Sequence, residues 1–426
     1  MSLDALLRGV FLALLALACT ATFAADTLPE ILLPQQGIGA HNLVVVVNDR
    51  DPLSREMAEY YRLAHSIPAE NMVYIEFEPD RPAMSAGEFA VLKRVVESKI
   101  PPQTEAYLLA WAEPYKVGCM SISSAFAFGF NRRYCASGCE NTALSRYALG
   151  ASLTPAEDFD MRPTMLLGAQ SVDEARALIE RGSAARGRFA AYSTAPPAAY
   201  LVETPDRSRN VRRVYFSEAV HRFGERLDIH TPRTEAVEGA DNILFYFTGA
   251  RFVKGIASNR YLPGAVADHL TSTGGMLTDS RQMSAAQWLR AGATGSYGTV
   301  VEPCNILSKF PNPTRMIEQY LAGRTLIEAY WKSVAMPGQG VFIGDPLAAP
   351  YTGYRIEDRG DMLRVHSAQL ARGRYQLFAA PSRNGPFRPV GGEIEVTGSP
   401  QSFPLLPPYA AVYKLEPVAA AQPPKS

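Results

Sequence analysis

Unbroken apolar runs alternate with amphipathic segments at the start of the chain. An apolar run covers 43–47, and apolar residues then recur every three or four positions from Leu53. Further apolar runs at 72–77 and 106–111 flank a second amphipathic segment at 87–99. Unbroken runs are typical of strands buried on both faces, and a spacing of three and four is typical of helices. The pattern therefore predicts a parallel sheet with helical crossovers.

The same alternation resumes after residue 161. Ser171 followed by Glu174 is the capping-box pattern that opens a helix. The predicted fold class is α/β, a mainly parallel sheet sandwiched by helices. We predict strands at 164–168, 198–203, 243–247, 275–278, 296–301 and 341–346, and helices at 171–181, 210–227, 263–272, 282–291, 313–321 and 325–334.

Beyond residue 351 the pattern changes to alternating apolar and polar residues with frequent Gly and Pro. Strands at 375–380 and 392–397 predict a small β-sandwich-like domain. The expected organisation is a signal peptide at 1–24, an N-terminal α/β subdomain at 25–160, a second α/β core at 161–350, the β domain at 351–418 and a disordered tail at 419–426.

The N-terminus resembles a secretory leader. Arg8 precedes an apolar run of fifteen residues, and Thr22 and Ala24 are the small residues that favour cleavage after Ala24. The run is shorter than the ~20 residues of a membrane span. We therefore expect an exported protein, periplasmic or extracellular, with no transmembrane span in the mature chain. Lipidation at Cys19 is an alternative.

The charge balance excludes some partners. The chain has 42 basic and 42 acidic residues. A neutral chain lacks the basic surface that nucleic acids require, so no nucleic acid is expected. No glycine-rich phosphate loop and no nucleophile elbow follows a strand, and no cofactor is expected.

Four cysteines remain after the leader, and three of them lie between 113 and 160, where periodicity fails. In an oxidising compartment four cysteines predict two disulfides, with three pairings open. We favour a disulfide-pinned insertion over a binding loop for this segment. The candidate cysteines are Cys119, Cys135, Cys139 and Cys304.

Three carboxylates are the most suggestive chemical groups. Asp279, Glu302 and Asp345 each follow a predicted strand. In a parallel sheet the three would meet at one edge, where carboxylates bind a cation or polarise a water. The alternative is that each caps a helix or a turn, and Asp345 before Pro346 suits a turn.

His269 and Cys304 are candidates for base and nucleophile. His269 lies near Asp268 and a Gly-rich turn, and Cys304 follows a strand. A catalytic thiolate needs a base or a helix N-terminus to lower its pKa, and the sequence assigns neither to Cys304. Around the same edge, the residues expected to contact a ligand are Thr248, Arg251, Arg281 and Trp288.

Seven ordered segments resemble an uncharacterised exported bacterial family. That family occurs in genomes that carry the exosortase and PEP-CTERM sorting system, and it brings no established activity. The segments are 43–48, 58–61, 67–71, 261–268, 292–298, 301–303 and 344–347.

A second resemblance is distant and concerns the fold. The opening strand–helix–strand, the later core strands and the closing Gly344-Asp-Pro346 are similar to gingipain-type, caspase-like cysteine peptidases. In that family a His follows one core strand and the nucleophilic Cys follows the next. At the matching places this chain has Thr248-Gly-Ala250 and Thr278-Asp-Ser280, so the resemblance implies a relative without the catalytic dyad.

The sequence thus favours a non-catalytic, caspase-like protein of the cell envelope that binds a peptide, a glycan or an envelope protein. Two enzymatic alternatives stay open. One is a hydrolase that uses Asp279, Glu302 or Asp345, with or without a metal. The other is a cysteine peptidase in which Cys304 pairs with His269.

Overall fold

A computed structural model describes residues 28–34, 37–136, 138–189, 195–370, 372–397 and 401–418. The predicted signal peptide with Cys19 and the predicted tail from Ala419 lie outside the described residues.

Strands and helices are interspersed up to Gly344, and the described elements beyond it are all strands. The strands are β1 (Glu30–Leu32), β2 (Leu43–Asn48), β3 (Met72–Ile75), β4 (Ala83–Met84), β5 (Ala106–Leu109), β6 (Lys116–Val117), β7 (Met120–Ser121), β8 (Thr164–Leu166), β9 (Ala198–Leu201), β10 (Asp228–His230), β11 (Ile243–Gly249), β12 (Tyr261–Leu270), β13 (Gly295–Thr299), β14 (Gly340–Gly344), β15 (Arg355–Asp358), β16 (Leu363–Ser367), β17 (Gly373–Ala380), β18 (Arg388–Pro389), β19 (Ile394–Val396), β20 (Gln401–Leu405) and β21 (Val412–Pro417). The helices are α1 (Pro52–His65), α2 (Ala86–Lys99), α3 (Ile122–Phe128), α4 (Arg146–Leu149), α5 (Pro155–Phe159), α6 (Val172–Ala185), α7 (Phe216–Phe223), α8 (Ala286–Arg290), α9 (Pro313–Leu321) and α10 (Leu326–Ser333).

The central sheet has ten strands among the described residues, in the order β10-β9-β11-β12-β13-β14-β8-β5-β2-β3. In this order, each strand from β10 through β9, β11 and β12 to β13 pairs in parallel with the next, and the same holds for β8, β5, β2 and β3. Strand β14 is antiparallel to β13, and Ile343 opposite Leu166 joins the two halves. One apolar core extends over both halves. The predicted α/β class with a large, mainly parallel sheet is confirmed.

Local sequence explains why these elements form where they do. All six residues of β2 are buried, as expected for a strand covered on both faces. Asp51 caps the start of α1, because its carboxylate accepts the N–H of Leu53 at 2.9 Å. Ser171 caps the start of α6, because its hydroxyl accepts the N–H of Glu174 at 3.2 Å. The predicted helix start at Ser171 is therefore confirmed.

The prediction between 263 and 278 is wrong. The stretch predicted as a helix at 263–272 is β12, and the strand predicted at 275–278 is a turn. Small residues in β12 resemble a helical face, but the strand lies between β11 and β13 and is buried from Gly264 to Leu270. Helix α8 is also shorter than the predicted 282–291.

The residues beyond 351 form a separate β unit with its own apolar cluster. Strands β17 and β19 match the two strands predicted there. The N-terminal strand β1 pairs in parallel with β21, a contact across almost the whole chain that the sequence pattern did not predict. The sheets of this unit are β1-β21-β17-β18, with β19 beside β17, and β15-β16-β20.

Two disulfides fix the predicted insertion. Cys119 bonds to Cys135 within it, and Cys139 bonds to Cys304 in the loop after β13. The expectation of disulfides is confirmed, and the pairing is now assigned. Within the described ranges, no helix combines the length and apolarity that crossing a membrane requires.

Candidate functional site

The three candidate carboxylates do not meet at one edge. Because β14 is antiparallel to β13, Asp345 follows the end of β14 that lies beside the start of β13, where its N–H donates to Thr294 at 3.1 Å. Glu302 instead follows the far end of β13. Strands rise about 3.3 Å per residue, so the two ends of this five-residue strand lie roughly 13 Å apart. Asp345 and Glu302 cannot share a cation, whose ligands lie about 2.5 Å from it.

Asp345 is a buried structural group. Its carboxylate accepts hydrogen bonds from the Tyr61 hydroxyl at 3.1 Å and from the Leu347 N–H at 3.0 Å. Nε2 of His65 lies 2.7 Å from its other oxygen. These contacts tie the end of α1 to the loop after β14, and they leave the side chain fully buried. The turn interpretation of Asp345 therefore describes its position better than a catalytic one.

Asp279 lies in the loop after β12, which contacts residues that follow β5. Its carboxylate accepts the Tyr115 hydroxyl at 2.5 Å, and the neighbouring Thr278 hydroxyl contacts Glu113. Burial and the carboxylate raise the pKa of Tyr115. These two hydrogen bonds join the loop after β12 to the loop after β5. Within the described residues, no group of three or more His, Cys, Asp and Glu side chains is arranged to hold a metal ion.

Cys304 lies next to Glu302 and is not a free thiol. Its sulfur is bonded to Cys139, so in this state it cannot act as a nucleophile. Its backbone is left-handed, with φ of 54°, and its N–H donates to the Glu302 carboxylate at 2.9 Å. The proposed pairing of Cys304 with His269 therefore lacks its thiolate.

His269 is fully engaged inside the protein. Its Nδ1 accepts the indole N–H of Trp288 at 2.9 Å, and its Nε2 lies 3.0 Å from the Met283 carbonyl. An indole nitrogen only donates and a carbonyl only accepts, so His269 must be neutral with its proton on Nε2. Burial, together with the nearby Arg212 and Arg209, lowers the pKa of His269 to about 4. No lone pair remains with which His269 could act as a base.

Two of the residues expected to contact a ligand are instead buried. Trp288 is fully buried against His269, and Thr248 is also buried. The Thr248 carbonyl accepts from Arg212 Nη2 at 2.6 Å. Arg251 and Arg281 are exposed, and Arg251 donates to the Arg281 carbonyl at 3.4 Å.

A buried ion pair that the sequence pattern did not reveal lies beneath the same edge. Arg212 Nη1 lies 2.5 Å from Asp268 Oδ1, and both side chains are at most 2% exposed. Burial raises the pKa of Asp268, against the lowering effect of Arg212. Arg212 also donates to the Pro311 carbonyl at 3.3 Å. This pair joins β12 to the segment before α7. The sequence feature that could have pointed to it is the arginine-rich segment 207–213.

Two open hollows lie at the carboxyl ends of the parallel strands. The larger part, of ≈1050 Å³, lies beyond β9 and β10, and the smaller part, of ≈330 Å³, lies beyond β12 and β13. Asn305 lines both parts. We call the two parts together the edge groove. Its larger part is lined by Glu203, Thr204, Pro205, Arg207, Asn210, Val211, Arg213, Val214, Arg233, Thr234, Glu235, Asn305 and Leu307.

The edge groove combines cationic and apolar groups. Arg233 lies 3.5 Å from Glu203, but no ion pair joins Arg207 or Arg213 to an acid within the described ranges. Val214 is 61% exposed beside them. Carboxyl ends of parallel strands are where α/β proteins bind ligands. The groove is therefore the candidate binding site, and sequence reasoning found its edge but not its arginines.

No protein-family model matches the sequence, and no curated protein does. Among solved structures, a chain of the "Complex of Porphyromonas gingivalis RgpB pro- and mature domains" is similar, with 9% identity and a TM-score of 0.43, covering 87% of this chain and 94% of that one. A chain described as "Structure of Protease" has 9% identity and a TM-score of 0.39, covering 89% of this chain and 97% of that one. Likenesses at this level decide nothing about activity.

Two predicted strand ends move in the structure. The strand predicted at 243–247 continues to Gly249 as β11, so Thr248 and Gly249 lie within the strand and Ala250 follows it. Strand β12 ends at Leu270, so Thr271, Ser272 and Thr273 follow it directly, and Thr278-Asp-Ser280 lies further along the loop. None of these residues is a Cys or a His.

Proposed function

We propose that this protein is an exported, non-catalytic binding protein with a caspase-like core, and that the edge groove holds an extended peptide segment with acidic side chains. The single observation that carries the proposal is the open groove itself, whose Arg207 and Arg213 lack ion-pair partners among the described residues. Arginine binds carboxylates through two parallel hydrogen bonds, so an acidic partner suits these side chains.

Apolar groups in the groove favour a peptide as the ligand. Val211, Val214 and Leu307 line the larger part together with the arginines. A peptide supplies both apolar and acidic side chains along one extended chain. The groups that would act on a bound peptide are engaged elsewhere, since His269 bonds Trp288 and Cys304 bonds Cys139. This arrangement supports binding without cleavage. Two disulfides support export.

Fluorescence anisotropy with a labelled acidic peptide tests the proposal. The comparison peptide has Asn and Gln in place of Asp and Glu, and we expect it to bind more weakly. Arg207→Gln and Arg213→Gln should each weaken binding of the acidic peptide by roughly two- to fivefold, the range of exposed ion pairs. Affinity should fall as salt is added, because salt screens exposed charges. Arg94→Gln, an exposed arginine of α2, is the matched control and should have no effect.

Several outcomes count against the proposal. Equal binding of the acidic and amide peptides would exclude recognition by the arginines. Saturable binding of a glycan or an envelope protein, but of no peptide, would replace the ligand class. Cleavage of the peptide that disappears in Asp279→Asn or Glu302→Gln would make the protein a hydrolase.

A further inference from the structure

A second cavity lies where the α/β core meets the C-terminal β unit. It has a volume of ≈460 Å³, within the range of small-molecule sites. Its walls come from β1, from the start of α10 and from the loops around Tyr354 and Gln369. We call it the junction cavity. It is separate from the edge groove, and the two share no lining residue among those described.

A buried carboxylate lines the junction cavity with one oxygen unused. Glu328 is 1% exposed, and its Oε2 accepts the N–H of Thr325 at 3.0 Å and the Thr325 hydroxyl at 2.7 Å. Its Oε1 has no hydrogen-bond partner among the described residues. Gly37 approaches so closely that a β-carbon there would lie 2.1 Å from this oxygen. A buried acceptor without a donor is costly, so a ligand donor that reaches Oε1 would be stabilising.

Cationic groups surround the same cavity. Arg383 lies 3.2 Å from Glu30, but no ion pair joins Arg186 or Arg324 to an acid within the described ranges. Arg186 follows the end of α6, and Arg324 precedes α10. The two guanidinium groups therefore have free donors for a carboxylate. Leu33 and Ile38 supply the apolar part of the remaining wall, and Glu30, Thr352 and Gln369 supply polar groups.

We propose that the junction cavity binds a small zwitterion with an apolar side chain, that is, a free aliphatic amino acid. Its ammonium group donates to Glu328 Oε1, its carboxylate accepts from Arg186 and Arg324, and its side chain lies against Leu33 and Ile38. Each polar group of such a ligand meets a group of opposite charge, and the unused carboxylate oxygen gains its donor. No bond is made or broken.

Isothermal titration of the purified chain with three related ligands tests this assignment. The ligands are L-leucine, its analogue without the amino group (4-methylpentanoate) and its analogue without the carboxylate (3-methylbutylamine). We expect L-leucine to bind saturably and each analogue to bind at least about tenfold more weakly, because each loses one charge-assisted hydrogen-bond set.

Variants locate the binding in the junction cavity. Arg186→Gln and Arg324→Gln should weaken the binding of L-leucine by roughly tenfold or more and leave the affinity for 3-methylbutylamine unchanged. Glu328→Gln should weaken the binding of L-leucine and leave the affinity for 4-methylpentanoate unchanged. If Glu328→Gln does not fold, the two arginine variants still decide the question, because their side chains are not buried. Arg213→Gln, in the edge groove, is the matched control and should bind L-leucine normally.

Three results would overturn the assignment. If L-leucine does not bind saturably, the junction cavity is not an amino-acid site. Equal affinity for the three ligands would mean that only the side chain is recognised. Unchanged affinity in Arg186→Gln and Arg324→Gln would place the binding elsewhere.

Discussion

The neutral, doubly hydrogen-bonded state of His269 makes a specific prediction about stability at low pH. An ordinary His has a pKa near 6.5, whereas burial lowers that of His269 to about 4. Between these two values the unfolded chain takes up a proton that the folded chain does not. The free energy of unfolding must therefore fall as pH falls through this window, by about 1.4 kcal/mol per pH unit.

The magnitude follows from the width of the window. A difference of about 2.5 pH units corresponds to about 3 kcal/mol that the folded state loses between pH 7 and pH 4. His269→Gln lacks the titrating group, so its free energy of unfolding does not contain this pH-dependent loss. At pH 7 the substitution should itself cost roughly 1–3 kcal/mol, because the buried Trp288 N–H loses its acceptor.

Urea unfolding followed by tryptophan fluorescence measures the effect. The free energies of unfolding of the natural protein and of His269→Gln are compared at several values between pH 7 and pH 4. The advantage of the natural protein should fall by about 3 kcal/mol across the window, so that it vanishes or reverses near pH 4, and other titrating groups cancel in the difference. Val91→Ala, an exposed change in α2 that removes no titrating group, is the control and should give a constant difference. If the difference for His269→Gln also stays constant, His269 is charged or exposed in the folded protein, and the structural assignment fails.

Two further predictions concern other buried charges. Asp268→Asn should lower the free energy of unfolding by about 3–5 kcal/mol, because it leaves the Arg212 charge buried without a partner. The double variant Arg212→Met/Asp268→Leu should lose much less stability. A double-mutant cycle measured by urea unfolding checks this prediction, and equal losses in the two variants would contradict it. Burial lowers the pKa of Lys332 to about 8, so the unfolded chain retains a proton that the folded chain releases, and stability should rise between pH 8 and roughly pH 10.5. Thermal unfolding across this range should show the rise in the natural protein and not in Lys332→Met, and parallel curves would contradict it.

Much of the fold could be predicted because single strands and helices carry their own pattern. The all-apolar β2 and the capped start of α6 need no information from elsewhere in the chain. Strand β12 was predicted as a helix because its polar residues Asp268 and His269 are buried beside partners that lie far away in the sequence. A period-based prediction treats such residues as exposed, and small neighbours then favour a helix. The partners, an arginine of an earlier segment and a tryptophan of a later helix, are defined only in three dimensions.

The prediction that the candidate carboxylates converge was wrong for a different reason, which is the direction of one strand. The residues of β14 are equally suited to a parallel or an antiparallel neighbour, and the connection through α9 and α10 is long enough for either. Antiparallel pairing moved Asp345 to the opposite end of β13 from Glu302. Likewise, pairing of β1 with β21 depends on residues at the two ends of the described chain, which no local pattern relates. The junction cavity, which depends on that pairing, was therefore invisible in the sequence.

The edge of the sheet is built for rigidity, and this bears on what the groove can do. Arg212 fixes the Thr248 carbonyl at the end of β11 and the Asp268 side chain of β12, and the bond between Cys139 and Cys304 holds the loop after β13. A groove whose floor is fixed in this way loses little conformational entropy when a ligand binds. Both ring nitrogens of His269 are likewise held, by Trp288 and by the Met283 carbonyl, so the imidazole belongs to this rigid floor. A fixed floor of this kind favours the binding proposed above.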